Sequence, residues 1–138
     1  MNPNKKTTVV VKNDGLEGFI RRGREHAKAL DNGGSLPSEI IVTFETTNAM
    51  MRVFTLKRTE LLEKLIQEGK QPIQKLATAL NRKRTAVNRD IVALRKIGVV
   101  STSAASNPGH GKLSMVSPLA KRYEFIWSVG TEKQKLHE

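Results

Sequence analysis

The sequence predicts an α+β fold in which three short helices lead into a β-hairpin, with strands flanking them at both ends and an extra helix near the N-terminus. Three observations carry this. Residues 73–97 hold two helical apolar patterns separated by Asn81, and Gly98 stops the second. Runs rich in β-branched and aromatic residues stand at 8–11, 40–45 and 123–129. Between the second helical pattern and the last run lies a stretch that opens and closes around Ser, Gly and Pro, as a hairpin does.

Taken in order, residues 1–8 are polar and basic and read as a loose arm. Thr8 to Val11 is a short β-branched run, and Asp14-Gly15 a turn. Leu16 to Leu30 reads as a helix with Leu16, Phe19, Ile20, Ala27 and Leu30 as its apolar members, weakened by Gly18 and Gly23. Asp31 to Pro37 (DNGGSLP) is a loop and the best internal boundary. Ile40 to Glu45 is a strand. Thr46 and Thr47 can cap a short helix over 48–53, and Thr55 can cap the next, Leu56 to Gln67, whose stripe is Leu61, Leu62, Leu65 and Ile66. Pro72 is acceptable in the first turn of the helix Ile73 to Leu80. Leu76 and Leu80 share one of its faces. Asn81 tolerates a left-handed turn. In helix 83–97, Val87, Ile91 and Leu94 share a face. Val99 to Thr102 opens the hairpin, 103–111 turns and 112–116 returns. The organisation expected is an arm, strand and helix over 1–37, a main unit over 38–129 and a tail over 130–138.

Composition bounds the function. The 138 residues fit one compact unit with some extension. Net charge is +11, which points to a polyanion or an anionic surface as partner. The absence of cysteine removes disulfides and thiolate metal sites. No apolar run is long enough to span a bilayer, and the N-terminus lacks a signal-peptide core, so a cytoplasmic protein is expected without membrane contact. His26, His110 and His137 show no metal-ligand spacing, and none of the phosphate-loop, dinucleotide, nucleophile-elbow or paired-carboxylate patterns occurs. No cofactor, no metal and no enzymatic activity are expected.

Charge concentrates where the helical pair meets the hairpin. From Arg82 to Lys112 there are seven Lys or Arg and one acid, Asp90, a net of +6. Arg84, Thr85, Asn88 and Arg89 fall opposite the apolar face of helix 83–97, in its first turns. That arrangement suits the DNA major groove, where Arg forks onto guanine and Asn onto adenine. These four are the candidate base contacts. Thr55, Lys57, Arg58, Arg82, Lys83, His110 and Lys112 are candidate phosphate contacts, which position a protein without reading sequence. His110 as a solvated loop residue, Arg95 and Lys96 as partners of the helix dipole, and Asp90 as the local partner of a cation are the simpler readings of those side chains. Recognition of single strands or RNA needs exposed aromatics, and 82–112 contains none.

The order of these motifs resembles a family. Phe44-Glu45 closes a strand, and Thr55-Leu56-Lys57-Arg58 introduces a helix. Ile73, Leu76, Ala77 and Leu80 follow, then Val87, Arg89, Asp90, Ile91 and Leu94, then Gly98-Val99. Over residues 24 to 129 the chain is similar to the small winged helix-turn-helix transcriptional regulators of bacteria and archaea that are distantly MarR-like. It departs from them at Asn81, where such families often carry Gly, and in a longer wing. The resemblance implies a repressor that reads double-stranded DNA with helix 83–97 and wing 99–116. Members of that family include toxin-linked antitoxins, so the resemblance also implies, as the alternative, an antitoxin that neutralises a cognate toxin protein and autoregulates its operon. Reading two half-sites requires two copies, so a homodimer is expected, with Phe19, Ile20, Ile40, Val42, Phe44, Phe125 and Trp127 as candidate apolar surface. Alternatively, the 16–30 helix covers these strands within one chain.

Overall fold

The computed structural model describes residues 8–34 and 38–130. In chain order they form β1 (Thr8–Lys12), α1 (Gly15–Asp31), β2 (Glu39–Thr43), α2 (Thr47–Val53), α3 (Leu56–Glu68), β3 (Gln71–Pro72), α4 (Ile73–Ala79), α5 (Arg84–Lys96), β4 (Val100–Asn107), β5 (Gly111–Pro118) and β6 (Arg122–Ile126). The mixed α and β composition and the extra N-terminal helix are as the sequence predicts.

The strand runs flanking the helices make one sheet, ordered β2-β1-β6, with β1 parallel to both neighbours. Val9 stands opposite Ile40 and Tyr123, and Val11 opposite Val42 and Phe125. Side chains alternate along a strand, so these six share a face. That face closes on the helices: Val9 and Val11 are fully buried, and the other four pack against the same core. Segment 1–37, expected as a separate N-terminal unit, therefore supplies the middle strand of the sheet. The expected final strand is shorter, ending at Ile126. The Asn13 side chain takes both backbone groups of Ser128, accepting from its N–H at 2.9 Å and donating to its carbonyl at 3.2 Å, which diverts the chain from β1. The expected arm 1–7, part of the expected loop (35–37) and tail residues 131–138 lie outside the described residues.

Helix α1 crosses from β1 to β2, and its glycines explain how. Gly15 has φ +54°, and its N–H donates to the Phe44 carbonyl at 3.0 Å. At Gly18 a Cβ would lie 2.1 Å from the Asp14 carboxylate. Asp14 in turn holds the buried Arg22 guanidinium at 2.5 Å. Gly18, which weakens the helix in isolation, thus lets it approach its own base. The cost is orientation. Gly15, Gly18 and Arg22 are the buried positions, while Leu16, Phe19, Ile20 and Leu30 are exposed. Coverage of the strands by the apolar side of this helix, one of the two expected arrangements, does not occur.

The remaining helices build the core. Leu61, Leu62 and Leu65 of α3, Ile73, Leu76 and Ala77 of α4, and Val87, Ile91 and Leu94 of α5 are buried together with Met50. Thr46 caps α2, accepting from the Ala49 N–H at 3.0 Å, and Thr55 caps α3, accepting from the Arg58 N–H at 3.3 Å. Phe54 stacks edge-on against Phe44 and Phe125, joining the first sheet to the helices. The second sheet is antiparallel, ordered β3-β5-β4. Its hairpin is longer than predicted. Ser103 to Asn107, expected as turn, continue β4 with Asn107 opposite Gly111. Small polar side chains do not stop a strand that stays in register with its neighbour at every position from Val100 to Asn107. Only 108–110 turns, closed by the His110 N–H donating to the Asn107 carbonyl at 2.9 Å, with Gly109 at φ +80° as a Pro-Gly turn requires.

Candidate nucleic-acid interface

Helix α5 is placed by the turn before it. Asn81 takes φ +54°, its N–H donates to the Thr78 carbonyl at 3.1 Å, and the Arg82 N–H donates to the Ala77 carbonyl at 3.0 Å. These paired bonds satisfy the end of α4 and reverse the chain within three residues. Gly98 and Val99 repeat the device at the end of α5, donating to Arg95 and Leu94. With Val87, Ile91 and Leu94 fully buried, the helical period turns Arg84, Thr85, Asn88 and Arg89 to solvent, and all four are exposed.

Beside α5 an open groove of about 770 Å3 runs between its first turns and the start of α3. Thr55, Leu56, Lys57, Arg58, Asn81, Arg82, Lys83, Ala86, Arg89 and Asp90 line it. Arg89 therefore borders the groove, on the flank of the face that carries Arg84, Thr85 and Asn88. Lys57 and Lys83 are exposed at its rim. Leu56, an apolar side chain 75% exposed beside these cations, figures in the sequence pattern only as the start of a helix and not as a candidate contact. The signal was its place in the first turn after the Thr55 cap.

At the floor of the groove Asp90 is buried and holds two arginines. Its Oδ1 accepts from Arg58 Nε at 3.1 Å and its Oδ2 from Arg82 Nη2 at 2.7 Å. Arg58 also donates through Nη1 to the Val53 carbonyl at 3.0 Å. The network links α3, the turn before α5 and α5 itself. Arg58 and Arg82, expected as phosphate contacts, are thus half-buried and committed to Asp90, and their first task is to position the helices. The local pairing expected for Asp90 is present, with two partners from separate segments.

The hairpin stands on the other side of α5. Lys112 and His110 are exposed near its tip. Arg95 is braced against its base, Nη1 donating to Thr102 Oγ1 at 3.1 Å. Behind the hairpin, the Tyr123 hydroxyl donates to the Val99 carbonyl and accepts from the Leu119 N–H at 3.1 Å. Burial raises the Tyr123 pKa above 10.0, and the Leu119 hydrogen bond partly offsets this. Among the described residues no three His, Asp or Glu side chains converge as a metal site, and no helix is long and apolar enough to cross a membrane.

A family model described as HVO_A0114 matches residues 53–112, from the end of α2 to the start of β5. A comparison with curated proteins gives no match. Two solved structures from archaea are similar in part. A possible transcriptional regulator from Methanosarcina mazei Go1 is 12% identical with a TM-score of 0.45, over 65% of this chain and 69% of that one. A transcriptional regulator homologue from Pyrococcus horikoshii OT3 is 14% identical with a TM-score of 0.40, over 52% and 76%. The family match spans the groove, α5, β4 and the turn after it, and stops at the start of β5. It omits β1, α1, β2 and β6.

Proposed function

We propose that the protein is a sequence-specific, double-stranded DNA-binding transcriptional regulator, a repressor rather than an enzyme, acting in the cytoplasm as a homodimer. In this reading α3, α4 and α5 with the β4–β5 hairpin are a winged helix-turn-helix. Helix α5 enters the major groove with Arg84, Thr85 and Asn88 toward base edges. Lys57, Lys83, Arg89 and the Thr55 hydroxyl meet one phosphate strand, and Lys112 on the wing meets another. Arg58 and Arg82 hold the groove in shape from behind.

The observation that carries this reading is the division of α5 into a fully buried apolar side and an exposed side of guanidinium, hydroxyl and amide groups, with exposed lysines flanking it. A helix of that kind fits a groove about 12 Å wide. Selection from a random duplex library should enrich one operator. Affinity for it should fall with salt at a slope near −0.9 in log K against log salt for each phosphate contacted. A library that yields no enriched sequence, or binding that is flat in salt, would overturn the reading.

A further inference from the structure

We infer that a second copy of this chain docks along the outer edge of β2 and the apolar side of α1, joining two three-stranded sheets into one of six strands across a two-fold axis. This deepens the homodimeric reading above by assigning its interface to specific residues.

The two edges of the first sheet differ. Among the described residues β2 and β6 each have β1 as sole neighbour. β6 carries Arg122 and Glu124, paired at 2.7 Å. Charges of that kind guard an edge against strand addition. β2 carries Ile40, Ile41 and Val42 in succession, with its one charge, Glu39, at its start. Antiparallel pairing of β2 with its own copy about Ile41 sets Ile41 against Ile41, Ile40 against Val42 and Glu39 against Thr43. No like charges meet.

The apolar side of α1 lies over that same edge. Gly15, Gly18 and Arg22 face the sheet. Glu17, Gly18 and Arg21 line a cleft with Ile126 and Ser128, on the β6 side. The remaining flank, turned toward β2, carries Leu16, Phe19, Ile20, Ala27 and Leu30. Phe19 is 65% exposed and Leu16 63%. This stripe is symmetric about Gly23. Leu16 and Leu30 are equally far from it, as are Phe19 and Ala27. In an antiparallel pair Leu16 of one copy meets Leu30 of the other, and the large Phe19 meets the small Ala27.

The two symmetries share an axis. The Gly15 N–H to Phe44 carbonyl bond fixes the level of α1 against β2. From there eight residues of helix descend about 12 Å to Gly23, and three residues of strand about 10 Å to Ile41. An axis through Ile41 therefore passes close to Gly23. The lateral spacing also fits. A helix over the gap between β1 and β2 stands half a strand spacing in from the edge, so two such helices are two spacings apart, about 9.6 Å. Packed helices lie about 8–10 Å apart. Among the described residues nothing lies within 4 Å of a Cβ built at Gly23, so the middle of this stripe is open to the close approach of a second copy.

The chain has no cysteine, so Gly23→Cys introduces a single thiol. Two backbone radii of about 2.3 Å taken from that spacing leave the Cα atoms roughly 5 Å apart, inside disulfide range. Mild oxidation should link this variant into a covalent dimer, while Trp127→Cys beyond the β6 edge should stay unlinked. Phe19→Glu alters an exposed side chain, should keep the wild-type circular dichroism, and should weaken self-association about 100-fold in sedimentation equilibrium. A wild-type monomer at tens of micromolar, an undiminished dimer in Phe19→Glu, or linkage through position 127 in place of 23 would overturn the inference. So would assembly only with a different protein, the outcome an antitoxin predicts. All of these are read without DNA, so a dimer that selects no operator would sink the proposed function and leave the interface standing.

Discussion

Helices α1 and α5 are both amphipathic, and the fold turns them in opposite senses. α5 buries Val87, Ile91 and Leu94 and shows solvent its cations and amide. α1 buries two glycines and an arginine and shows solvent Leu16, Phe19, Ile20 and Leu30. An apolar stripe predicts burial, but the partner that buries it need not belong to the same chain. For α5 the partner is the core beside α3 and α4. For α1 the near side is taken by Asp14, whose carboxylate occupies the space above Gly18 and anchors Arg22.

Truncating one apolar side chain on each helix tests this contrast most severely. Leu94→Ala should cost about 2–5 kcal/mol in urea unfolding, from lost transfer energy and a residual cavity. Ile20→Ala should change the stability of the dilute monomer by no more than about 0.5 kcal/mol. Comparable losses for the two would mean that α1 is packed as α5 is.

The next effect concerns the cations behind α5. Asp90→Ala leaves Arg58 and Arg82 without their acceptor. The expected loss in thermal stability is about 2–3 kcal/mol, below the range for a fully buried pair because all three side chains keep some solvent contact. DNA affinity should fall with it, since the groove loses its brace. A variant as stable as the wild type would show that the two arginines are free for phosphate.

The exposed side of α5 can be divided further by its readout. Asn88→Ala should lose about 1–3 kcal/mol of discrimination between operator and random duplex. Lys112→Ala should weaken both alike and lower the salt slope by about one contact. Equal losses on both duplexes for Asn88→Ala would remove it from the base-reading set.

The smallest effect separates the hairpin from the sheet behind it. Tyr123→Phe removes the bonds to Val99 and Leu119 and should cost about 1 kcal/mol near neutral pH. The folded pKa of this phenol is raised, so its contribution is complete below 10.0, the unfolded value, and is lost as pH rises through the folded one. The wild type should therefore lose stability relative to Tyr123→Phe under alkaline conditions. The chain has one tyrosine, so tyrosinate absorbance follows the group directly. Titration at its ordinary value would show that Tyr123 is not held.

The elements themselves were legible in the sequence because they rest on local physics. Thr46 and Thr55 cap helices through their own hydroxyls, Asn81 and Gly98 reverse the chain through their own φ angles, and the apolar spacing of α3, α4 and α5 names the core. The outward side of α5 followed from the same period, since fixing the buried face fixes its opposite. What only the tertiary structure decided depends on distant partners. Nothing local says that β1 lies between β2 and β6, that Ser103–Asn107 extend a strand, or that Asp90 takes Arg58 and Arg82 from two other segments. Nor does any local rule turn the apolar side of α1 outward. That follows from the contact of Gly15 with Phe44 and the Asp14 carboxylate above Gly18, which set the helix on its glycine side and leave Leu16, Phe19, Ile20 and Leu30 exposed.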